Sequence, residues 1–371
     1  NSIIELMIKK KICIIFGGVS VEHEISIISA NSILNNIDRK TFDIQGLYLN
    51  KNNDFQICDI KEKDSKIFFK PIKSKVFFSL NKKNNVVIEI NKKRSAMKID
   101  IFFPIIHGTG GEDGSIQGFL KTLDVPFVGC DVLSSAMTMD KIITKTILIS
   151  HGVRTANFVE IKEEDKENIV KKIKDIGFPC FVKAANLGSS IGVFKVKEES
   201  QIKRTINKCF QFSNKIFVEE AINDCIEVEV SVLGNDKIHI STPGDVLPSS
   251  EFYDYNAKYI DGKSELNVPS KIIKKNKKLL NEIKHFSEIA YQALGCKGMA
   301  RIDFLYGKKK KDKTRKVYFS EINSIPGFTE ISMFPKLLNY DKIKYQKIIT
   351  RLIDLGFEIF NKDKKLKKTY S

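Results

Sequence analysis

Two apolar runs near the carboxyl end of the chain carry four polar side chains whose types suit one kind of chemistry. The residues are Arg301 and Asp303 on the first run, and Glu321 and Asn323 on the second. A lysine-rich stretch separates the runs, which is typical of two β-strands joined by a hairpin loop. Because side chains two residues apart on a strand share a face, we expect all four on one side of the hairpin.

These four side chains are suited to binding a metal ion and an anion together. Carboxylate and amide oxygens are hard ligands that suit Mg²⁺ rather than zinc or copper. A guanidinium matches the geometry of phosphate or carboxylate oxygens. A surface hairpin with ordinary exposed charges would carry the same four residues. The following turn, Ser324–Thr329, favours a site because it can present backbone N–H groups beside the carboxylates.

The composition is that of a globular protein with reduced thiols. The 371 residues, of which 42% are hydrophobic, are enough for two or three domains with cores of their own. No apolar run approaches the length that crosses a bilayer, so we expect no membrane partner. The seven cysteines are scattered without a C-x-x-C pair, which favours buried, reduced thiols and a cytoplasmic location.

The formal charge of +17 attracts anions without identifying them. Much of the excess lies in lysine clusters of loops and tails, at 9–11, 308–311 and 364–368. No predicted helix carries a continuous basic stripe with interleaved aromatic residues. We therefore expect polyanionic small molecules as ligands and no nucleic acid as a partner.

Two buried-strand patterns in the first third of the chain end in glycine-rich loops. The apolar run 11–16 leads through Gly17–Ser20 into a helical pattern, which places Glu22 above the strand end, where it can meet a ligand's ammonium group. The run 99–106 ends in His107 and a loop with four glycines. Ligands of open α/β sheets bind at such strand ends, although a lone loop histidine is more often a surface residue.

The middle of the chain has lysines and small residues in an order that suits phosphate binding. Lys141 lies on a predicted helix and faces either solvent or a phosphate group. Lys183 ends a predicted strand, where burial of its ammonium without a partner would be costly. The following hairpin tip contains Gly188, Ser189 and Ser190. A loop of this composition either stays flexible or closes over a triphosphate with its backbone N–H groups.

The segment 216–222 is predicted to be a strand that runs into a nucleotide-binding connection. Its acidic residues can accept hydrogen bonds from a ribose hydroxyl or an exocyclic amine, while main-chain groups contact the purine edge. The strict alternation in 226–233 places Glu227 and Glu229 on one polar face. Residues 242–267 form a long loop, which in a compact domain is often a lid.

In this order the motifs resemble those of the D-alanine–D-alanine ligases of the ATP-grasp superfamily. The resemblance extends from Lys11 to about Leu338, which is nearly the whole chain. The matching segments are Gly17–Ser26, His107–Gly118, Met139–Lys141, Phe181–Lys183 with Gly188–Ser190, Tyr255–Tyr259, Gly298–Asp303 and Glu321–Gly327.

The resemblance implies an α/β (α+β) fold of three domains, in which an N-terminal parallel α/β domain is followed by two α+β domains that clasp ATP. We expect the N-terminal substrate-binding domain at 1–130 and the central ATP-grasp domain at 131–221. The C-terminal catalytic domain would occupy 222–360, and a charged tail 361–371. The resemblance also implies a homodimer.

The reaction implied by the resemblance joins two D-alanines with ATP through a D-alanyl phosphate, for peptidoglycan precursor synthesis. Glu22 would bind the ammonium of the first D-alanine, near His107, and would hold the lid with Ser189 and Tyr259. The other residues expected to act on the substrates are Arg301 and the Gly327 N–H group at the oxyanion, Lys258 at the transferred phosphate, and Ser332 and Met333 at the carboxylate of the second D-alanine.

The resemblance also implies how ATP and its metal ions are bound. The residues expected to contact ATP are Lys141 and Lys183 at the phosphates, Ser190 in the covering loop, Glu219, Glu220, Ala221 and Ile222 at the adenine, and Glu227 at the ribose. The residues expected to bind two Mg²⁺ or Mn²⁺ ions are Asp303, Glu321 and Asn323.

Tyr259 bears on the second substrate. A tyrosine at this position goes with an amine in the family, whereas relatives that form a D-lactate ester usually differ here, so we expect the dipeptide. A D-alanine–D-lactate ligase is the alternative enzyme, and a non-catalytic nucleotide- or nucleic-acid-binding module is the alternative of another class. The sequence departs from the family at Ala184, where proline is common, and at 308–315, which enlarges the hairpin loop.

Overall fold

The computed structural model describes residues 9–79, 86–247, 265–273, 276–329 and 331–367. The predicted Lys258 and Tyr259 lie outside this part of the chain. Within it, three large β-sheets follow one another along the sequence, and a small sheet accompanies the first. None of the helices in the described ranges is both long and apolar enough to cross a membrane.

The strands and helices have the following bounds. The strands are β1 (Lys10–Gly17), β2 (Phe42–Leu49), β3 (Phe55–Lys63), β4 (Lys66–Pro71), β5 (Lys75–Phe78), β6 (Val86–Ile90), β7 (Lys93–Met97), β8 (Ile101–Pro104), β9 (Phe158–Ile161), β10 (Cys180–Ala184), β11 (Val193–Val196), β12 (Ile216–Glu220), β13 (Asn223–Gly234), β14 (Ile238–Ile240), β15 (Gly244–Leu247), β16 (Glu265–Asn267), β17 (Gly298–Lys308) and β18 (Lys316–Asn323). The helices are α1 (His23–Asn36), α2 (Ser115–Thr122), α3 (Val132–Met139), α4 (Lys141–Ser150), α5 (Ile169–Lys172), α6 (Ile202–Cys209), α7 (Lys277–Ala293), α8 (Met333–Tyr340) and α9 (Tyr345–Asp363).

The first sheet has the strand order β4-β3-β2-β1-β8. Strand β1 is parallel to β2 and to β8, as expected for a strand whose last six residues are all buried. Strands β3 and β4 extend the sheet in antiparallel fashion, so the N-terminal sheet is mixed. Strands β5 to β7 form the separate small antiparallel sheet.

The second and third sheets form the rest of the described fold. The second is antiparallel, in the order β11-β10-β12-β9, and the third runs β16-β15-β13-β17-β18 with β14 paired to β13. The predicted hairpin near the carboxyl end is confirmed as β17 and β18. Its register sets Arg301 opposite Asn323 and Asp303 opposite Glu321.

One apolar core joins the first sheet to the carboxyl-terminal helices. Ile12 and Phe103 of the sheet lie in the same buried cluster as Leu338 of α8 and Ile349 of α9. Helix α9 approaches the sheet closely at Gly356, where a Cβ would lie 2.7 Å from the Phe127 carbonyl oxygen. Helices α8 and α9 therefore pack back onto the first sheet.

Three predicted elements differ from the structure in extent. The lysine-rich amphipathic pattern at 167–177 predicts a helix, but the structure has only the single turn α5 there, after a 3₁₀ turn, Glu163–Asn168. The amphipathic pattern at 271–294 also predicts a helix, but α7 begins at Lys277, where Asn276 caps it by accepting from the Leu279 N–H group. The two ends of the predicted long loop are strands β15 and β16, and residues 248–264 lie outside the described part of the chain.

Candidate active site

A single cleft gathers residues from distant parts of the sequence. Its walls come from the start of α1, the loop after β8, the junction of α3 and α4, the tip of the β10–β11 hairpin, strands β17 and β18, and the loop after β18. The predicted site residues that line it are Glu22, His107, Lys141, Ser189, Arg301, Glu321, Asn323 and Gly327. The expected convergence of these side chains is thus present in the fold.

The metal-ligand candidates lie together on β17 and β18. Asp303 and Glu321 are opposite each other in the strand register, and the side-chain amide of Asn323 donates to Asp303 at 3.2 Å. The Lys141 ammonium is 3.6 Å from the Glu321 carboxylate. The carboxylates therefore face one another with a cation beside them, as required of groups that share positively charged ligands.

Arg301 is held between two carboxylates. Its guanidinium donates to both oxygens of Asp303, at 2.8 and 2.7 Å, and its Nε lies 3.1 Å from the carboxylate of Glu229. Glu229 is buried on β13, directly opposite Asp303 in the register. The sequence pattern predicted that Glu229 lies on a polar face with Glu227 but assigned it no role. That alternation was the only feature of the sequence that pointed to Glu229.

The first sheet and the second sheet meet at Glu22 and Ser189. The Ser189 hydroxyl donates to the Glu22 carboxylate, which is buried and lies just before the first turn of α1. Ser189 and Ser190 both have left-handed backbones, with φ of 52° and 60°. A sharp turn at the hairpin tip therefore brings the serine loop onto the start of α1, where the helix dipole favours a carboxylate.

His107 is fully enclosed and has a partner for each ring nitrogen. Nδ1 lies 3.0 Å from the Ile325 carbonyl oxygen, which only accepts, so Nδ1 carries the proton and Nε2 accepts from the Ser29 hydroxyl at 2.8 Å. Burial lowers the pKa of His107, and the nearby charge of Glu22 only partly offsets this. The imidazole is therefore neutral, and it ties the loop after β8 to the loop after β18.

Glu112 provides a second contact to the same residue, Ile325. One carboxylate oxygen accepts from the Gly108 N–H group at 3.0 Å and the other from the Ile325 N–H group at 3.2 Å. Burial, and after it the charge of Glu22, raise the pKa of Glu112 to about 8. Sequence reasoning missed Glu112, since its position in the glycine-rich loop gave no sign of the distant partner.

Lys183, one of the two phosphate-binding lysine candidates, shares a buried carboxylate with Lys145 of α4. Lys183 and Lys145 both pair with Glu219, the latter at 2.7 Å. Burial would raise the pKa of Glu219, but the two ammonium groups outweigh it and hold the pKa at about 2. Burial lowers the pKa of Lys145. The sequence analysis did not identify Lys145. Its position one helical turn after Lys141 on α4, which places both lysines on the same helix face, could have indicated it.

The remaining nucleotide candidates follow β12. Glu219 and Glu220 end that strand, and Ala221 and Ile222 continue it as buried residues. The Glu220 carboxylate accepts from the Asn157 amide at 2.8 Å. Glu227 lies on β13, opposite Leu305 of β17.

The candidates for the second substrate surround the start of α8. The Ser332 hydroxyl accepts from the Thr329 N–H group at 3.1 Å, and a Cβ on Gly327 would approach that hydroxyl to 2.7 Å. The Met333 side chain packs against Val246 and Leu337 in an apolar cluster. Only the backbone N–H group of Met333 is therefore suited to a carboxylate.

Comparisons with known proteins agree with this geometry. A family model described as "D-ala D-ala ligase N-terminus" matches residues 11–130, and one described as "D-ala D-ala ligase C-terminus" matches residues 147–354. A curated D-alanine--D-alanine ligase of Caldicellulosiruptor bescii is 38% identical over 367 residues, covering 97% of this chain and 99% of the relative.

Solved structures show the same fold. The D-alanine-D-alanine ligase from Coxiella burnetii matches with a TM-score of 0.81 at 28% identity, covering 96% of each chain. The VanG D-Ala:D-Ser ligase from Enterococcus faecalis matches with a TM-score of 0.79 at 30% identity, covering 94% of this chain and 100% of that one.

We predict that Glu112→Gln lowers kcat/KM for the amino-acid substrate about tenfold to a hundredfold. A glutamine has one acceptor oxygen, so its amide N–H₂ would face an N–H donor, and a mismatched buried hydrogen bond costs about 1–3 kcal/mol. Steady-state kinetics above pH 8, where the Glu112 carboxyl is ionised and accepts with both oxygens, measure the effect. The exposed Glu24, paired with Lys51, provides the control Glu24→Gln, which should behave like the parent. Equal kcat/KM values for the two variants would contradict a role for the hydrogen bonds of Glu112 to Gly108 and Ile325.

We also predict that His107 makes the fold sensitive to acid. Since the pKa of the buried imidazole lies below the ordinary 6.5, stability is lost as pH falls through 6.5 towards the folded pKa, by about 1.4 kcal/mol per pH unit. Urea unfolding between pH 7 and 5 should show a shallower loss for His107→Gln, whose amide both donates and accepts. The exposed His151 supplies the control His151→Gln, and identical pH slopes for parent and His107→Gln would refute the prediction.

Proposed function

The chain belongs to the D-alanine–D-alanine ligase family and joins two D-alanines with ATP for peptidoglycan precursor synthesis, and we propose how its own residues carry out the reaction. The observation that carries the proposal is the single cleft that collects Glu22, Lys141, Arg301 and Glu321. A carboxylate accepts an amine only after its oxygen is made a leaving group, and phosphorylation by ATP achieves this. Catalysis then depends on positioned charge rather than on a nucleophilic side chain.

The first D-alanine binds between α1 and the loop after β8. Glu22 holds its ammonium group, and the Ser189 hydroxyl on the same carboxylate closes the serine loop over the site. His107 lies next to this position as a neutral side chain. Its contact with Ile325 keeps the loop after β18 close to the substrate carboxylate.

The ATP phosphates bind where Lys141 and Lys183 enter the cleft region, under the loop of Ser190. Glu219, Glu220, Ala221 and Ile222 form the adenine segment after β12, and Glu227 binds the ribose. Glu219 already pairs with two ammonium groups, that of the buried Lys145 and that of the half-buried Lys183. When phosphates arrive, Lys183 can turn to them while Lys145 keeps Glu219 paired, because the carboxylate has a separate contact to each lysine.

The residues of the hairpin fit magnesium ions shared with the triphosphate. Two carboxylates and one amide oxygen are hard donors, and no cluster of three His, Cys, Asp or Glu side chains suited to a metal occurs in the described residues. This donor set suits Mg²⁺, which proteins often bind through one or two carboxylates together with substrate phosphates. Asp303, Glu321 and Asn323 would hold two Mg²⁺ or Mn²⁺ ions, which when bound neutralise the transferred phosphate. Arg301 holds the Asp303 carboxylate in place until then through its two hydrogen bonds.

The second step places charge on the former carbonyl oxygen. Arg301 and the Gly327 N–H group are the donors for this oxyanion, while Ser332 and the Met333 N–H group receive the carboxylate of the incoming D-alanine. For Lys258 and Tyr259, which lie outside the described residues, we propose the roles that the family resemblance implies, at the transferred phosphate and in the lid. Tyr259 favours an amine as the second substrate, which gives the dipeptide in preference to a D-lactate ester.

We also propose a division into domains, an oligomeric state and a cellular location. The three large sheets support domains at 1–130, 131–221 and 222–360, whereas the expected tail 361–371 begins inside α9, which ends at Asp363. The family supports a homodimer, and the seven free cysteines together with ATP as substrate support a cytoplasmic location.

The proposal is tested by phosphate release from the purified chain with ATP, Mg²⁺ and one amino acid at a time. We predict release with D-alanine, none with L-alanine and none after chelation of the metal, with D-alanyl-D-alanine as the product by mass spectrometry. D-Lactate or D-serine offered with D-alanine should enter the product much less. Release without dipeptide, or a predominant mixed product, would overturn the substrate assignment.

We predict that Arg301→Lys lowers kcat about 10²- to 10³-fold, the effect of losing one positioned oxyanion donor. The lysine keeps a positive charge between Glu229 and Asp303, so ATP binding measured by calorimetry should change little. Arg351 on α9 forms an exposed pair with Glu358, and Arg351→Lys serves as the control with parental kcat. An Arg301→Lys enzyme with normal kcat would show that the guanidinium has only a structural role.

A further inference from the structure

The β17–β18 loop, residues 308–316, is a place where the sequence departs from the family, and no part of the proposed reaction uses it. Its sequence, KKKKDKTRK, is strongly basic. The chain enters the loop at Gly307, where a Cβ would lie 2.6 Å from the Ile222 side chain and 2.7 Å from the Asn223 carbonyl oxygen. The end of the hairpin therefore packs directly against the adenine segment, residues 219–222.

Asp312 gives the β17–β18 loop a defined conformation. Its carboxylate accepts hydrogen bonds from the Lys309 N–H group at 3.1 Å, from the Lys316 ammonium at 2.9 Å and from the Tyr318 hydroxyl. The bond from Tyr318, followed by that from Lys316, holds the pKa of Asp312 at about 2. The Tyr318 ring is buried and lies in one apolar cluster with Ile222. The loop is therefore anchored beside the adenine segment, and the start of Lys309 is fixed.

Lys309 differs from the lysines that follow it in the loop. Its side chain is half-buried, whereas those of residues 310 and 311 are exposed. The Lys309 ammonium donates to the side-chain oxygen of Asn157 at 2.9 Å. It also lies 5.2 Å from the centroid of the Tyr318 ring, within the range of a cation–π contact. Lys309 thus has specific partners, which a lysine in a solvated charge cluster lacks.

Asn157 connects Lys309 to Glu220 of the adenine segment. Its amide nitrogen donates to the Glu220 carboxylate at 2.8 Å, and its backbone oxygen accepts from the Glu220 N–H group at 2.8 Å. An ammonium only donates and a carboxylate only accepts, so the two charged side chains fix the orientation of the amide between them. Burial lowers the pKa of Lys309, and the charge of Glu220 partly offsets this. A row of hydrogen bonds therefore runs from the loop to the end of β12.

Lys310 reaches the other side of the adenine segment. Its ammonium lies 3.4 Å from the Phe178 carbonyl oxygen. The next carbonyl oxygen, that of Pro179, accepts from the Ala221 N–H group at 3.4 Å. The β17–β18 loop thus contacts the chain before β9 and the chain before β10, and both of these stretches hydrogen-bond to the adenine segment.

We propose that Lys309 is a positioning residue for the adenine of ATP, which it serves by holding Glu220 in place through Asn157. The inference rests on the proposed assignment of residues 219–222 to adenine. A binding segment that is already held costs less to order when its ligand arrives, so the contact strengthens ATP binding. Residues 308–316 are not among those that line the cleft with Arg301 and Glu321. The loop therefore acts on nucleotide affinity and not on phosphate transfer.

The experiment compares variants of the full chain by steady-state kinetics, with D-alanine saturating and ATP varied. Lys309→Met keeps the length of the side chain but removes its charge and its donor. We expect the KM for ATP to rise about three- to tenfold, the effect of losing one partly exposed hydrogen bond, with parental kcat and parental KM for D-alanine. The Kd of a non-hydrolysable ATP analogue, measured by calorimetry, should rise by the same factor. Lys309→Arg, which also donates to Asn157, should restore the parental KM.

Lys311→Met is the matched control, because it removes one exposed lysine from the same loop and changes the net charge equally. Its KM for ATP should be parental. An unchanged KM in Lys309→Met, or an equal rise in Lys311→Met, would overturn the proposal, the latter because it would show only a general attraction of ATP to a basic loop. A fall in kcat as large as the rise in KM would also overturn it, by showing a general structural role.

A double variant tests the route through Asn157. Asn157→Ala should itself raise the KM for ATP, and adding Lys309→Met should then cause no further rise, because residues that act through one another are not additive. Two rises that multiply would contradict the route. The parent separates this inference from the proposed function: a parent that forms no D-alanyl-D-alanine refutes the function, whereas normal synthesis together with a parental KM in Lys309→Met refutes only the role of Lys309.

Discussion

The strand register that sets Asp303 against Glu321 is the constraint from which the rest of the site follows. Two carboxylates this close repel each other, and Glu229 adds a third on the next strand. Arg301 and Lys141 offset that repulsion with direct contacts. The site is therefore a partly enclosed array of opposed charges, and such an array binds further cations and phosphates when they arrive together.

Residues beside the first sheet, in the loop after β8 and on α1, form hydrogen bonds with the loop after β18. His107 carries its proton on Nδ1 and donates it to the carbonyl oxygen of Ile325. Glu112 accepts a hydrogen bond from the N–H group of the same residue. Ser29 adds a contact to the Phe328 N–H group at 3.4 Å. The loop that carries Gly327 is thus positioned by residues more than two hundred positions earlier, and the shared core with α8 and α9 supports this contact.

Much of the fold and of the candidate site could be predicted from the sequence. The features that could not be predicted share one physical cause. The period of two on β17 and β18 placed Arg301 with Asp303 and Glu321 with Asn323, because local alternation fixes the face of a strand. The family resemblance supplied the family and the reaction. Glu112, Lys145 and Glu229 were given no role because the partner of each lies far away in the sequence, and sequence patterns do not report such distant pairs. The short α5 and the strands at the ends of the long loop show the same limit for elements that depend on tertiary packing.

The most direct test of the central claim is a crystal structure of the chain with a non-hydrolysable ATP analogue, Mg²⁺ and D-alanine. The account predicts metal ions about 2.0–2.1 Å from oxygens of Asp303, Glu321 and Asn323, phosphate oxygens on Lys141 and Lys183, and the D-alanine ammonium on Glu22. Metal ions bound elsewhere, or Asp303 still paired only with Arg301 beside a filled nucleotide site, would contradict it.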